Sequence, residues 1–282
     1  MKARHIMLNG SFLPAENPCI MPGNRGLLFG EVVWQSMRGC SSKVFFFDTY
    51  FDHLCEELDK KDIQRPSLFT SKIIEHDIFL LLQKCRIYTG ALIRITVFRN
   101  ANNDYFYYPD VPVSVLIEAE SHIDQHYTLS ETGLKMAAFE EVLFPSVIPN
   151  FTSTLQGLGF AGMQKHFSSY HVDNLFLVND DGNIFQTPDA NVMFIKDNDL
   201  FIPSERYLYS TDVLCGYVEN AAEKIGLSVS RDSEIQPRDL LNFDEVLLID
   251  SIHGIRWVQA FGEKRFYNRV ATKLTSALCD LA

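Results

Sequence analysis

Asp173–Ile195, DNLFLVNDDGNIFQTPDANVMFI, is the stretch whose reading decides the fold. Leu175, Phe176, Leu177 and Val178 form a short apolar run that ends at Asn179-Asp180-Asp181-Gly182. A second extended piece, Asn183–Gln186, leads to Thr187-Pro188, and a third, Asn191–Ile195, runs to Lys196-Asp197-Asn198-Asp199. Short runs of β-formers divided by turn residues predict a meander of strands.

Strands and helices alternate on both sides of this meander. Upstream, His5–Leu13 reads as two strand pieces around Asn9-Gly10, a strong hairpin signal. Val32–Met37 and Lys43–Phe47 read as strands, the second reached through a turn at Gly39–Ser42. Asp48 is placed to cap a helix from about Thr49 to Lys61, with Tyr50, His53, Leu54 and Leu58 on one face. A second helix spans about Leu68–Tyr88, Gly90 is read as its stop, and strands follow at Ala91–Phe98 and Pro112–Glu120. Polar Ser121–Glu131 is the expected linker, dividing an N-terminal domain 1–120 from a C-terminal domain 132–282. Downstream come a strand at Leu134–Phe139 and helices at about Leu158–Ser168, Ser210–Ile225 and Asn268–Leu281. A short helix is read at Pro237–Leu241, and strands at Leu227–Ser230, Glu245–Ile249 and Ile255–Phe261. Hairpin links between several strands favour α+β, or mixed α/β, over a doubly wound sheet.

The chain has 282 residues, 46% hydrophobic and 22% charged, enough for roughly two globular domains. A net charge of −11 argues against nucleic acid or an anionic membrane as the main partner. No run approaches the roughly 20 apolar residues of a membrane span. Met1-Lys2-Ala3-Arg4-His5 passes directly into strand-like sequence, so a cytoplasmic protein is expected. Cys19, Cys40, Cys55, Cys85, Cys215 and Cys279 are scattered without C-x-x-C or zinc spacing, which predicts free thiols and no metal site.

Several segments in order resemble the class IV pyridoxal-phosphate aminotransferases and aminodeoxychorismate lyases. Asn9-Gly10 and Asn24-Arg25-Gly26-Leu27-Leu28-Phe29-Gly30 are similar to the family's opening, and Phe47–Leu58 to its helix with a His-Leu pair. Arg94–Arg99 resembles its two-arginine strand, and the meander resembles its central segment, with Asn191 before Phe194. Asp244-Glu245-Val246-Leu247-Leu248 followed by Ser251-Ile252-His253-Gly254-Ile255 resembles its closing segment. The resemblance implies a two-domain fold with a ligand cleft between the domains, and a homodimer. Tyr105, Phe106, Tyr107 and Tyr108 would suit a subunit contact and read equally as a self-packed loop.

Position by position, the chemistry departs from the family. The lysine that holds the coenzyme as a Schiff base and shuttles the substrate proton falls on Ser153, and no Lys lies between Lys135 and Lys165. The carboxylate beside the pyridine nitrogen becomes Gln186, whose neutral amide cannot hold a proton there. The phosphate-binding Arg becomes Glu56, counted from His53. At an effective dielectric near 20, a carboxylate facing phosphate is repulsive by on the order of several kcal/mol at contact. At the phosphate-binding helix, Gly gives way to Asp212 and a Thr donor to Leu214, leaving Ser251 as the retained hydroxyl.

These losses lead us to expect no cofactor: a non-catalytic homologue, or a binder of another small ligand such as a carboxylate, with Trp34, Arg99 and His253 as cleft candidates. The alternative is an active aminotransferase or aminodeoxychorismate-type lyase holding pyridoxal phosphate at an atypical site, with Lys165 as the nearby amine. A weaker third option is an enzyme without that coenzyme that uses Ser251, His253 and Arg99. Plainer readings stand beside each residue. Ser153 fits a loop, Glu56 a solvated helix face, Gln186 a strand end, and Trp34 plain core. Arg94 and Arg99 lie five apart on a strand and so on opposite faces, one of them structural.

Overall fold

A computed structural model describes residues 5–17, 20–21, 23–41, 43–100, 111–139, 171–204 and 211–282. Ser153, Lys165, Cys19, Tyr105–Tyr108 and the expected helix at Leu158–Ser168 lie outside them. The chain divides into two compact units that change over between His126 and Tyr127.

The first unit is a six-stranded antiparallel sheet of β1 (His5–Leu8), β2 (Ser11–Pro14), β3 (Val32–Cys40), β4 (Lys43–Val44), β5 (Gly90–Arg99) and β6 (Val113–His122). Its order is β2-β1-β6-β5-β3-β4. Asn9-Gly10 makes the β1–β2 hairpin, pairing Leu8 with Ser11. The short helix α1 (Arg25–Phe29) precedes β3. Helix α2 (Phe47–Lys60) buries Phe47, Tyr50, Phe51, Leu54, Cys55 and Leu58, a three-and-four spacing that puts one apolar stripe on the sheet. Helix α3 (Ser71–Cys85) starts at Thr70, whose side chain accepts the Ile73 N–H.

Two local readings are corrected. Lys43–Phe47 is not one strand. Phe46 turns left-handed (φ 54°), so Phe47 opens α2 and Asp48 sits inside its first turn rather than capping it. Gly90 does not stop α3 either. Arg86 does so in a left-handed conformation (φ 58°), and Gly90 begins β5, where a Cβ would lie 2.1 Å from the Asp124 carbonyl oxygen. Arg38, buried in β3, donates to the carbonyls of Asp124 (2.6 Å) and His126 (3.0 Å). Beyond the changeover, the Trp257 indole donates to the Ser130 carbonyl (2.8 Å).

The second unit is a nine-stranded sheet: β7 (Leu134–Phe139), β8 (Asn174–Val178), β9 (Ile184–Gln186), β10 (Asn191–Lys196), β11 (Asp199–Pro203), β12 (Ser228–Ser233), β13 (Glu245–Asp250), β14 (Gly254–Phe261) and β15 (Lys264–Arg265). The sequence meander is β8 to β11. Strand β9 pairs with both β8 and β10, so β10-β13-β14-β7-β8-β9 returns on itself as a ring. A ring leaves fewer strand edges to protect. Phe176, Ile184, Val192, Phe194, Val246 and Leu248 belong to one core cluster. Helices α4 (Leu214–Lys224) and α5 (Arg269–Cys279) pack on each other and on β13. Glu245, buried at the start of β13, accepts the N–H groups of Val270 (2.8 Å) and Ala271 (2.9 Å), capping α5 with a carboxylate.

Gly254, at the start of β14, has φ +77°, and a Cβ there would lie 2.5 Å from the ring of buried Tyr127. Gly254→Ala therefore combines left-handed strain with overpacking, and is expected to lower the unfolding free energy by about 2–4 kcal/mol in urea denaturation.

Candidate functional site

The chemistry-bearing residues of the second unit gather where β13 ends and α4 begins. After Asp250 the chain turns through Ser251-Ile252-His253 into β14. Asp250 shapes this turn, its Oδ1 accepting the N–H groups of Ile252 (3.0 Å) and His253 (2.8 Å). The Tyr127 hydroxyl holds the turn from above by donating to the Ser251 carbonyl (3.1 Å). Ser251 is buried and its backbone is fixed from both sides.

The Ser251 N–H donates to one carboxylate oxygen of Asp212 (2.9 Å), and the Leu214 N–H at the start of α4 donates to the other (2.8 Å). Asp212 is itself placed by Asn191 of β10, whose Oδ1 accepts the Asp212 N–H (2.8 Å) and a Cys215 Sγ contact (3.5 Å). Asn191 stands opposite Gln186 in the ring, so β9, β10, β13 and α4 all meet here. A helix N-terminus with a second N–H converging on one oxyanion is an anion-binding arrangement. Its occupant is the chain's own carboxylate. Burial pushes the Asp212 carboxyl above its usual range, with the Asp250 charge adding to that, against the lowering effect of the Leu214 and Ser251 hydrogen bonds.

Beside it runs a charged chain. Asp250 pairs with His253 Nδ1 (2.9 Å) and with Arg256 (2.9 Å), and Arg256 also pairs with Asp189 (3.0 Å). Asp189 accepts from Asn174 (2.6 Å) and the Thr187 hydroxyl (3.1 Å). Burial pushes the Asp189 carboxyl up, but Arg256, Asn174 and Thr187 outweigh it and hold the group below its usual range. Arg256 Nε is buried and has no hydrogen-bond partner among the described residues.

The structure thus brings Gln186, Leu214, Ser251 and His253 into one unit. Gln186 and Leu214 are buried there, and His253 is half exposed. Trp34, Glu56 and Arg99 belong to the first unit. Glu56 is exposed on α2, while His53 Nδ1 contacts Gln35 Oε1 at 3.2 Å. Trp34 is 50% exposed on β3, not core. Arg94 is exposed and paired with Glu118 (2.9 Å). Arg99 is buried, paired with Glu31 (3.5 Å) and bonded to the Asp62 carbonyl. Arg25 binds the same Glu31 and holds its carboxyl below the usual range. Among the described residues no His, Cys, Asp and Glu group forms a metal cluster, and no helix is long and apolar enough to cross a membrane. Sequence reasoning missed the Asp189–Arg256–Asp250 chain, whose members carry no motif. It noticed Asp212 as a replacement without seeing where its carboxylate goes.

Residues 33–261 match the family described as Amino-transferase class IV, and the chain belongs to that family. A curated relative, a probable branched-chain-amino-acid aminotransferase of Rickettsia bellii, is 22% identical over 81% of this chain and 77% of its own length. The fold superposes on the branched-chain aminotransferase of Thermoproteus uzoniensis with norvaline, with a TM-score of 0.85 at 14% identity, covering 98% of this chain and 93% of that one. It also superposes on the branched-chain amino acid aminotransferase of Thermobaculum terrenum in its pyridoxal-phosphate form, at 0.81 and 13%, with the same coverage.

The expectation of no cofactor is corrected by this family membership and by a structural neighbour that carries the coenzyme. Its physical error lay in counting side chains. The donors at a helix N-terminus are backbone N–H groups, and replacing a Thr by Leu214 leaves the N–H in place.

Arg256→Met leaves Asp189 and Asp250 without their shared cation. It is expected to reduce stability at pH 7 by about 1–3 kcal/mol, toward the lower end because Asp189 is 49% exposed. A depressed carboxyl contributes above its unfolded value and loses that contribution as pH falls through the folded one. The gap between wild type and variant should therefore close below pH 3.8, as read by denaturant midpoints across pH.

Proposed function

We propose that the chain binds pyridoxal phosphate in its second unit and lacks the family's full catalytic set, making it a cofactor-binding homologue with little or no aminotransferase turnover. One observation carries the binding half: the Leu214 and Ser251 N–H groups donate to the two oxygens of one half-buried carboxyl group. The two Asp212 carboxyl oxygens stand in there for two oxygens of a phosphate, so the donor set fits the group in kind. Leu214 N–H, Ser251 N–H and the Ser251 hydroxyl would hold the phosphate, and buried Gln186 would meet the ring, as the family resemblance implies. When bound, the coenzyme supplies an electron-withdrawing ring that stabilises negative charge at a substrate carbon.

The protein's own residues limit that chemistry. Gln186 offers a hydrogen bond without a charge and does not hold a proton at a ring nitrogen. Ser153, at the family's lysine position, supplies no amine to attach the coenzyme or move a substrate proton. Arg25 and Arg99 are committed to Glu31. A homodimer and a cytoplasmic location belong to the same proposal, the first resting on the family resemblance alone.

The name of the curated relative favours a second reading, an active aminotransferase in which Lys165 supplies the amine. Adding pyridoxal phosphate to purified protein, reducing with borohydride and mapping peptides separates the two. Reversible binding is expected, with no lysine modified and no keto acid formed from branched-chain amino acids. A reduced adduct on Lys165, with amino-acid-dependent turnover abolished in Lys165→Ala, establishes the second reading instead.

A further inference from the structure

We propose that Asn9 is a spontaneous deamidation site of this chain, and that its clasp on β6 holds the reaction back until the β1–β2 hairpin opens. Asn9-Gly10 is the one Asn-Gly pair in the sequence, and a following Gly obstructs attack by its own backbone nitrogen least. In the reaction the Gly10 nitrogen bonds to the Asn9 side-chain carbonyl carbon and gives up its proton, while the amide nitrogen Nδ2 leaves as ammonia. One water then opens the cyclic imide. Breaking the new bond leaves an aspartate, and breaking the original main-chain bond leaves an isoaspartate.

The folded turn opposes the first step twice. Asn9 (φ 50°) and Gly10 (φ 76°) are both left-handed, and Leu8 pairs with Ser11 across them, so the loop is a two-residue turn matched to the twist of its strands. Ring closure has to rotate the Asn9 Cα–C bond out of that conformation, against the pairing. The side chain is held as well. Its Oδ1 accepts the Val115 N–H (2.9 Å) while the Asn9 N–H donates to the Val115 carbonyl (2.9 Å), continuing the β1–β6 ladder beyond Leu8 and Leu116. The leaving nitrogen Nδ2 donates to the hydroxyl of buried Ser114 (3.1 Å), which also accepts from Asn100. Asn100 accepts from Asn24 (3.2 Å), and Asn24 caps α1 by accepting the Leu27 N–H (3.1 Å). The carboxamide is thus the outer end of a polar chain that reaches α1.

Asn9 and Gly10 are both exposed, so water reaches the turn and geometry is what restrains it. The rate in the folded protein is then the unfolded-chain rate multiplied by the fraction of time the clasp stands open. The two products differ in consequence. An aspartate keeps an acceptor for the Val115 N–H, and the Ser114 hydroxyl can turn to donate to it. An isoaspartate lengthens the main chain of the turn by one carbon, so it cannot keep Leu8 opposite Ser11 and also hold Val115. Each event adds a negative charge, and the isoaspartate form frees the hairpin from β6. The turn therefore keeps a covalent record of how often this edge of the first unit has opened.

The test follows deamidation at Asn9 by peptide mass spectrometry in wild type, Ser114→Ala, Ser114→Thr and Ile95→Val, with wild type in concentrated urea as the unfolded reference. Ile95 is fully buried in β5, pairs with Gln35 and Ile117, and makes none of the clasp's bonds, so its variant lowers stability without touching Asn9. Folded wild type is expected to react at least about tenfold more slowly than the unfolded chain, a difference of about 1.4 kcal/mol. Ser114→Ala should speed the folded-state reaction about fivefold, the size of one lost hydrogen bond. Ser114→Thr, which keeps the hydroxyl, and Ile95→Val should leave it near the wild-type rate. If Ser114→Ala does not fold, wild type in low urea carries the test, and the rate should climb before the main unfolding transition. A folded wild type that reacts as fast as the unfolded chain overturns the proposal. So does equal acceleration by Ser114→Ala and Ile95→Val, or a rate that rises only with global unfolding, because protection would then belong to overall stability and not to the clasp.

Discussion

The hydrogen bonds from Leu214 and Ser251 to the Asp212 carboxylate are the constraint on which the second unit's chemistry depends. They tie the start of α4 to the end of β13 through one carboxyl group. The positive end of a helix dipole and these two N–H groups favour its ionised form, against the burial that pushes the carboxyl above its usual range. The tie is possible because the strand ring brings β9 and β10 back to the same place, letting Asn191 fix the Asp212 backbone. From the other side, Tyr127 lies against Gly254 and donates to the Ser251 carbonyl, anchoring the turn. Sheet topology, one glycine and one buried tyrosine thus decide where an oxyanion can sit.

Carboxylates organise much of this unit. Glu245 opens β13 by capping α5, and Asp250 closes it by folding the turn and meeting Arg256. Asp189 extends the pairing across the ring to β14. Most of this negative charge is matched locally by N–H groups, a guanidinium or an imidazole, so acidity here is structural before it is functional. Arginine behaves the same way in the first unit. Arg25 and Arg99 converge on Glu31, and Arg38 is consumed by the carbonyls of the changeover segment. These three arginines are thus occupied with the chain's own backbone and side chains.

The strand meander was legible because turn residues at Asn179–Gly182 and Lys196–Asp199 punctuate it, and the structure places β8 to β11 there. Family resemblance carried the rest of the fold at an identity where few individual contacts are visible. Helix limits were less legible. Phe46 and Arg86 adopt left-handed turns that nothing in their side chains announces, while Gly90, which looks like a helix stop, serves a close backbone approach. Ring closure rests on a single pairing between Gln186 and Asn191, too local to leave a periodic signal. At the site, side-chain identities were readable and their consequence was not. The donors that define an anion cup belong to the backbone, and Asp189 and Arg256 are 67 residues apart in the chain.

A crystal structure of the purified protein grown with pyridoxal phosphate tests the central claim most directly. The account predicts the phosphate against the Leu214 and Ser251 N–H groups, with the Asp212 side chain rotated away from both. A structure with the coenzyme bound and both Asp212 hydrogen bonds intact would contradict it, because the phosphate would then be held by other donors.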